Sequence, residues 1–207
     1  AMDAMLSFWE SAPSDVGGAA FNLLNCPPRA APWIKSSRMA SWLGLYSGRR
    51  GMVMPSGWQT MVGTVSETAF VEWLPSTATV WRRRVLDEFR FDEWFDGYSY
   101  LEDLDFSYSA AKRYRLAVVA QAGFRHYPSP SGRGASYQFG KKEVRNRLYV
   151  VRKHQLSVSR CYLGLVLRML MTVGKAVAYR DAKECLGRAG GNCVALCQAL
   201  LGRAIRT

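Results

Sequence analysis

Two continuous apolar runs and one helical pattern dominate the middle of the chain. The runs at residues 69–74 and 116–120 predict two strands, the second buried and extending to Phe124, and we expect them to be neighbours in one sheet. Between them, apolar side chains recur at helical spacing of three and four residues at Leu101, Leu104, Tyr108 and Ala111. This pattern predicts a helix over about 102–113 that packs across the sheet.

The N-terminal third has weaker patterns. Gly17-Gly18 predicts a break before an apolar run at residues 19–24, and Pro27-Pro28 ends that run. Further along, helical spacing of Met39, Trp42, Leu43 and Tyr46 predicts a helix that packs on the core, with contact to a lipid or substrate as the alternative.

From residue 156 onward the chain is both apolar and basic. Arg168, Thr172 and Lys175 form a narrow polar stripe on a mostly apolar helix, and Gly190-Gly191 predicts a break before a second helix that Asn192 could cap. This part carries eight Lys and Arg but only two Asp and Glu. We expect a helix lying at a membrane surface; docking on another part of the protein and a true membrane span are the alternatives.

Composition favours a folded protein with an anionic partner. The 207 residues are 49% hydrophobic and carry a formal net charge of +12. Such a balance suits nucleotide phosphates, nucleic acid or an acidic lipid surface. An odd count of five cysteines without Cys-x-x-Cys spacing indicates reduced thiols, as in the cytosol.

The chemistry is concentrated in the acidic cluster Glu102-Asp103-Leu104-Asp105. A carboxylate held at a helix start next to a loop can act as a general base. The same carboxylates could instead only complement the positive end of the helix dipole. Downstream, a Gly- and Ser-rich loop with Arg133 leads to a basic run that includes Arg145. These bases suit either a phosphate clamp or a solvated helix face.

The order of these motifs resembles the second half of the catalytic domain of family-two inverting glycosyltransferases, over roughly residues 15–154. Its members have a GT-A fold. The resemblance rests on Trp-Leu-Pro at 73–75, a small-residue turn, aromatic-Arg-Arg from Trp81, Glu-Asp-x-Asp-Phe-Ser from Glu102, and Arg125-His126.

The resemblance implies roles for individual residues. Asp103 would be the general base and Glu102 would position the acceptor or the base. His126 would be one ligand of a divalent cation, Mg or Mn, whose other ligands we expect in a preceding half. Substrate would be bound by the residues Trp73, Ser76, Thr77, Ala78, Arg133 and Arg145. Ser76-Thr77-Ala78 departs from the Gly-rich turn of many relatives, which puts the donor sugar in question.

These observations predict an α/β fold: a partial GT-A-like mixed sheet with packed helices, followed by a C-terminal pair of amphipathic helices. We expect residues 1–155 to be the acceptor-side half of the glycosyltransferase domain and 156–207 to be a membrane-associated tail. The resemblance implies transfer of a sugar from a nucleotide-sugar donor to a glycan or lipid-linked acceptor in polysaccharide biosynthesis. The enzyme would lie at the cytoplasmic face of the membrane.

Two other functions fit the sequence less fully. A non-catalytic membrane-surface scaffold would explain the basic tail, and a basic nucleic-acid-binding module would explain the charge. We do not expect nucleic acid as a partner, because the chain contains no recognised nucleic-acid motif and half of its net charge lies in the apolar tail.

Overall fold

The protein is described by a computed structural model, which covers residues 1–25, 37–97, 99–127, 135–178 and 182–203. Within these ranges the chain forms a mixed α/β structure of four strands and seven helices. The strands are β1 (Val16–Leu23), β2 (Ala69–Val71), β3 (Thr79–Trp81) and β4 (Arg115–Phe124). The helices are α1 (Met2–Ser11), α2 (Arg38–Trp42), α3 (Arg83–Glu88), α4 (Glu102–Ala111), α5 (Ser136–Lys153), α6 (Val158–Ala178) and α7 (Ala182–Leu200).

The chain divides into two compact units. The first comprises residues 1–54, 59–94 and 102–127, and the second comprises 55–58, 95–101 and 128–207. The first unit therefore holds the sheet with α1 to α4, and the second holds α5, α6 and α7. The predicted division at residue 155 stays a prediction.

The four strands form one sheet in the order β2-β4-β1-β3. β1 and β4 are parallel, whereas β2 and β3 run antiparallel to their neighbours. The prediction that the two apolar runs are adjacent is confirmed, because Phe70 of β2 lies opposite Ala117 of β4. One core cluster on this sheet consists of Ala20, Val62, Val65, Leu74, Leu116 and Val118.

The predicted acidic helix is confirmed as α4, and its buried face includes Leu104, Phe106 and Ala110. Phe106 packs edge-to-face against Trp81 at a ring-centroid distance of 4.9 Å and is stacked on Phe91 at 4.2 Å. Aromatic contacts of this kind add to the free energy gained by burial. The start of α4 is therefore held firmly against the sheet unit.

The predicted break at Gly17-Gly18 is wrong, because both glycines lie inside β1. A Cβ on Gly18 would come within 2.4 Å of the Trp81 ring. Glycine is needed here because β1 and the side chain of β3 approach each other closely.

The predicted break at Gly190-Gly191 is also wrong, since α7 continues through both residues. A Cβ on Gly191 would lie 2.0 Å from the carbonyl oxygen of Tyr137, and one on Gly140 would lie 2.2 Å from that of Arg188. Glycine at these positions lets the backbones of α5 and α7 come into contact. Asn192 does not cap a helix; its buried Nδ2 donates to the Gly140 carbonyl at 3.3 Å.

Two residues of the polar stripe of α6, Arg168 and Thr172, face the interior of the second unit, whereas Lys175 is exposed. Arg168 Nε lies 3.8 Å from Glu143 Oε1, and Arg188 makes two hydrogen bonds to the same buried carboxylate, at 2.7 and 3.0 Å. These guanidinium groups outweigh the effect of burial and lower the pKa of Glu143. Thr172 is also buried. The outward face of α6 is instead apolar, with exposed side chains at Leu163, Val166, Leu167, Leu170, Met171 and Val173.

Among the residues that the structure describes, no helix is long and apolar enough to span a bilayer.

Candidate active site

Asp103 lies in the first turn of α4 and is partly buried. Its Oδ1 accepts a hydrogen bond from the Leu104 amide at 2.8 Å. Burial raises the pKa of Asp103 above its ordinary value of 3.8, and the nearby Glu102 charge adds to the rise. The backbone amides of Leu104 and Ser76 oppose it, because they stabilise the ionised form. Asp103 is therefore a more basic carboxylate than usual, and its hydrogen bond to the Leu104 amide fixes its orientation.

Ser107 ties the loop after β2 to the start of this helix. Its Oγ accepts a hydrogen bond from the Leu74 amide at 3.0 Å and donates one to the Asp103 carbonyl. One buried hydroxyl thus holds the backbone just before the turn close to the backbone of Asp103. The contact positions Asp103 without involving its carboxylate oxygens.

The turn at Ser76, Thr77 and Ala78 comes soon after Leu74 in the sequence. Ser76 and Thr77 are exposed, whereas Ala78 is half-buried and its carbonyl accepts a hydrogen bond from the Phe21 amide at 3.0 Å. The effect of the Ser76 amide on the pKa of Asp103 places the turn beside the carboxylate. Three of the predicted site residues, Asp103, Glu102 and Ser76, are therefore neighbours.

Trp73 is buried, with an exposed fraction of 2%, and its indole Nε1 donates to the Thr60 carbonyl at 3.0 Å. Its ring lines a small apolar pocket within the first unit, together with Ala20, Phe21, Leu23, Met61, Val62, Gly63, Pro75 and Val118. Any contact between Trp73 and a substrate would have to be made through this pocket. Its role in substrate binding stays a prediction.

His126 has an exposed side chain at the end of the segment that follows β4. Its backbone is fixed by Asn25, which accepts from the His126 amide at 3.0 Å and donates to its carbonyl at 2.9 Å. In the described ranges there is no group of three or more His, Cys, Asp and Glu side chains that could hold a metal ion. The described side chains do not make a complete Mg or Mn site. The assignment of His126 as a ligand stays a prediction.

Arg145 belongs to the second unit, where its Nη1 lies 3.1 Å from Asp96 Oδ1. Lys142 lies 3.5 Å from the same oxygen. The slight burial of Asp96 raises its pKa, but Arg145 and Lys142 outweigh this and hold it below the ordinary value. The Arg145 guanidinium therefore already has a carboxylate partner within the second unit. The other predicted clamp residue, Arg133, lies outside the described residues.

Asn22 is a supporting residue that sequence reasoning missed. It has an exposed fraction of 2% and lies where the register of β1 against β4 shifts. Its Nδ2 donates to the carbonyls of Val65 and Ala120, and its Oδ1 accepts from the Val65 amide. Asn22 thereby anchors the loop before β2 to the sheet. The available signal was a polar amide inside an apolar run.

Comparison of the chain with protein-family models, with curated proteins and with solved structures finds no match.

Proposed function

We propose that this protein is an inverting glycosyltransferase in which Asp103 is the general base. The observation that carries the proposal is the direct environment of Asp103: a partly buried carboxylate of raised pKa beside the Ser76 turn, whose Oδ1 accepts a hydrogen bond from the Leu104 amide. A base of raised pKa accepts a proton more readily at neutral pH than an ordinary carboxylate does. The parallel pair β1 and β4 with antiparallel neighbours is compatible with part of a GT-A sheet.

In this mechanism the Asp103 carboxylate removes the proton from an acceptor hydroxyl. The hydroxyl oxygen attacks the anomeric carbon of the sugar and forms the new glycosidic bond. The bond between that carbon and the diphosphate breaks, so the electron pair leaves with the nucleoside diphosphate and the proton remains on Asp103. Glu102 and the exposed Ser76 and Thr77 would position the acceptor.

The first experiment compares Asp103→Asn with Asp105→Asn in the full-length protein. Asn keeps an oxygen that can accept from the Leu104 and Ser76 amides, but it cannot take the proton. Turnover should fall by roughly 10²–10⁴, the usual contribution of a positioned base. The affinity for the nucleotide sugar should remain, because Asp103 is assigned to the acceptor.

Asp105 is a suitable control because it lies in the same helix turn and is buried, with an exposed fraction of 1%. We assign it a structural role, so any loss of turnover in Asp105→Asn should follow a loss of folded protein. Near-normal turnover in Asp103→Asn would mean that the acidic cluster only complements the helix dipole and does not supply the base. Absence of sugar transfer by the unchanged protein would instead favour the non-catalytic scaffold function.

We also propose that the tail attaches the enzyme to an anionic membrane surface. The sequence prediction relied on the polar stripe of α6, but Arg168 pairs with Glu143 and Thr172 is buried. The outward apolar face of α6 supports membrane attachment better, since monomeric soluble proteins rarely expose large apolar patches. Arg160 and Lys175 are exposed at the first and last turns, where cationic side chains can reach anionic headgroups.

Leu170→Glu tests the attachment, because Leu170 is the most exposed large apolar side chain on α6, at 57%. A carboxylate in this face should strongly weaken binding to vesicles that contain phosphatidylglycerol, and binding by the unchanged protein should weaken as salt rises. Ser66→Glu adds the same charge at an exposed position outside α6 and should bind normally. Equal vesicle binding by both variants would refute attachment through this face.

A further inference from the structure

The segment around α2 places two large apolar side chains in solvent, contrary to the expectation that they pack on the core. Met39 has an exposed fraction of 70% and Trp42 one of 78%. They are three residues apart on a helix and therefore lie on the same side of it. A tryptophan buries roughly 150–250 Å² when it is covered, so leaving it in water forgoes a large favourable contribution.

This exposed pair is presented by a well-defined turn. Ser37 caps α2 by accepting a hydrogen bond from the Ala40 amide at 3.2 Å. The helix ends at Trp42, and Gly44 just beyond its C-cap has a positive φ of 66°, which suits glycine and reverses the chain. The Leu45 amide closes this reversal by donating to the Ala40 carbonyl at 2.9 Å.

The base of the segment is fixed to the rest of the first unit. Thr60 Oγ1 donates to the Arg49 carbonyl at 2.7 Å, and Arg50 Nη1 donates to the Thr64 carbonyl at 2.6 Å. These hydrogen bonds fix the base of the segment to the body of the unit. Because the backbone at the base is already held in place, less conformational entropy is lost when Trp42 binds a surface.

The charge along this segment is of one sign, with Arg38 beside the tip and Arg49 and Arg50 at the base. Arg38, Arg49 and Arg50 are exposed, and the sequence contains no Asp or Glu between Asp15 and Glu67. Tryptophan is enriched at the boundary between lipid headgroups and hydrocarbon, and arginine pairs with lipid phosphates. A tip with exposed Trp and Met, flanked by arginines, combines both preferences.

We propose that the Met39–Trp42 tip is a membrane contact that inserts into the interface of an anionic bilayer. This contact belongs to the first unit and goes beyond the proposed glycosyl transfer and tail attachment, neither of which requires it. Trp42 would lie at the level of the headgroups with Met39 beside it, and the flanking arginines would bind phosphate. The alternative occupant is an acceptor glycan, on which an exposed indole could stack.

Vesicle binding by the full chain tests the proposal, with phosphatidylcholine vesicles that contain a minority of phosphatidylglycerol as the probe. Trp42→Ala should weaken binding about tenfold, equivalent to about 1.4 kcal/mol, and Trp42→Phe should restore part of it. Tyr127→Ala is the matched control, because Tyr127 is an aromatic side chain of the same unit with an exposed fraction of 77%. It should bind like the unchanged protein.

Fluorescence gives a second readout that folding defects do not mimic. The chain has seven tryptophans, so the quenching by brominated lipids is measured with and without Trp42→Phe. A loss of quenching in that variant assigns the insertion to Trp42. Unchanged vesicle binding and quenching would overturn the proposal, as would weaker oligosaccharide binding by Trp42→Ala without any effect on vesicles. Failure of tail attachment is detected separately by Leu170→Glu.

Discussion

Replacing Asp103 by Asn should make the protein more stable at neutral pH while removing the base. Burial raises the pKa of Asp103 above 3.8, so the folded protein disfavours the ionised form relative to the unfolded chain. Asn is neutral and of the same shape. It also keeps an acceptor for the Leu104 amide, which Asp103 Oδ1 binds at 2.8 Å.

The sign of the pH dependence follows from the raised pKa. Below pH 3.8 the carboxyl is protonated in both the folded and the unfolded states, and the two proteins should differ little. As the pH rises through the folded pKa, ionisation of Asp103 lowers the stability of the unchanged protein. The advantage of Asp103→Asn should therefore grow between acid and neutral pH and then level off.

The scale of the effect is measurable. Each whole unit by which the pKa is raised corresponds to about 1.4 kcal/mol of stability. In a chain of this size, 1 kcal/mol moves the midpoint of thermal unfolding by roughly 2–4 °C. The assay is a series of urea and thermal unfolding curves from pH 3 to pH 8, roughly spanning the titration range of carboxylates.

Asp87→Asn is the matched control, since Asp87 is an exposed helical carboxylate paired only with the exposed Arg83 in the described contacts. Its substitution should change stability by less than about 0.5 kcal/mol at every pH. Destabilisation by Asp103→Asn at neutral pH, or a difference that does not depend on pH, would refute the inference that Asp103 is a basic, desolvated carboxylate.

Two further substitutions test the geometry around the site and the tail. The Glu102 charge raises the pKa of Asp103, so Glu102→Gln should move the acid limb of the pH–rate profile to lower pH; an unchanged limb in kcat/KM measurements would contradict this coupling. Gly191→Ala should destabilise the second unit by roughly 1–3 kcal/mol or more because its Cβ would lie 2.0 Å from the Tyr137 carbonyl. Gly174→Ala, where a Cβ meets nothing within 4 Å, is its thermal-unfolding control and should be neutral or stabilising.

Continuous apolar runs located two of the strands, although of these two only β4 is largely buried and Phe70 of the edge strand β2 is 48% exposed. The runs at residues 69–74 and 116–120 correspond to β2 and β4, and helical spacing located α4 and α6. The glycine pairs led to two wrong predictions of a break, because glycine occurs both where an element ends and where two backbones pack closely. Gly18 faces the Trp81 ring and Gly191 faces Tyr137, and both contacts depend on partners distant in sequence.

Amphipathic patterns identified helices but not which face points inward. The stripe of Arg168 and Thr172 turns inward because Glu143 of α5 is buried and requires cationic partners. Met39 and Trp42 show the opposite case, in which apolar side chains stay in solvent. Neither outcome is encoded in local spacing alone.

The sequence allowed the residues of the candidate site to be predicted, but not the contacts between them. The acidic cluster and the small-residue turn are visible in the sequence, whereas the proximity of Asp103 to Ser76 depends on how α4 meets the loop after β2. Ser107 and Asn22 complete that arrangement through buried hydrogen bonds. Single polar residues within apolar patterns carry no signal of their partners.

The anomeric configuration of the transferred sugar tests the proposed reaction most directly. The full-length protein is incubated with nucleotide sugars and acceptor glycans, and the first-formed linkage is assigned by nuclear magnetic resonance, with Asp103→Asn as the parallel sample. Inverting transfer predicts a β-linked product from an α-linked donor, formed by the unchanged protein and nearly absent from Asp103→Asn. A product of retained configuration, equal transfer by the variant, or no transfer by the unchanged protein would contradict Asp103 as the base of an inverting glycosyltransferase.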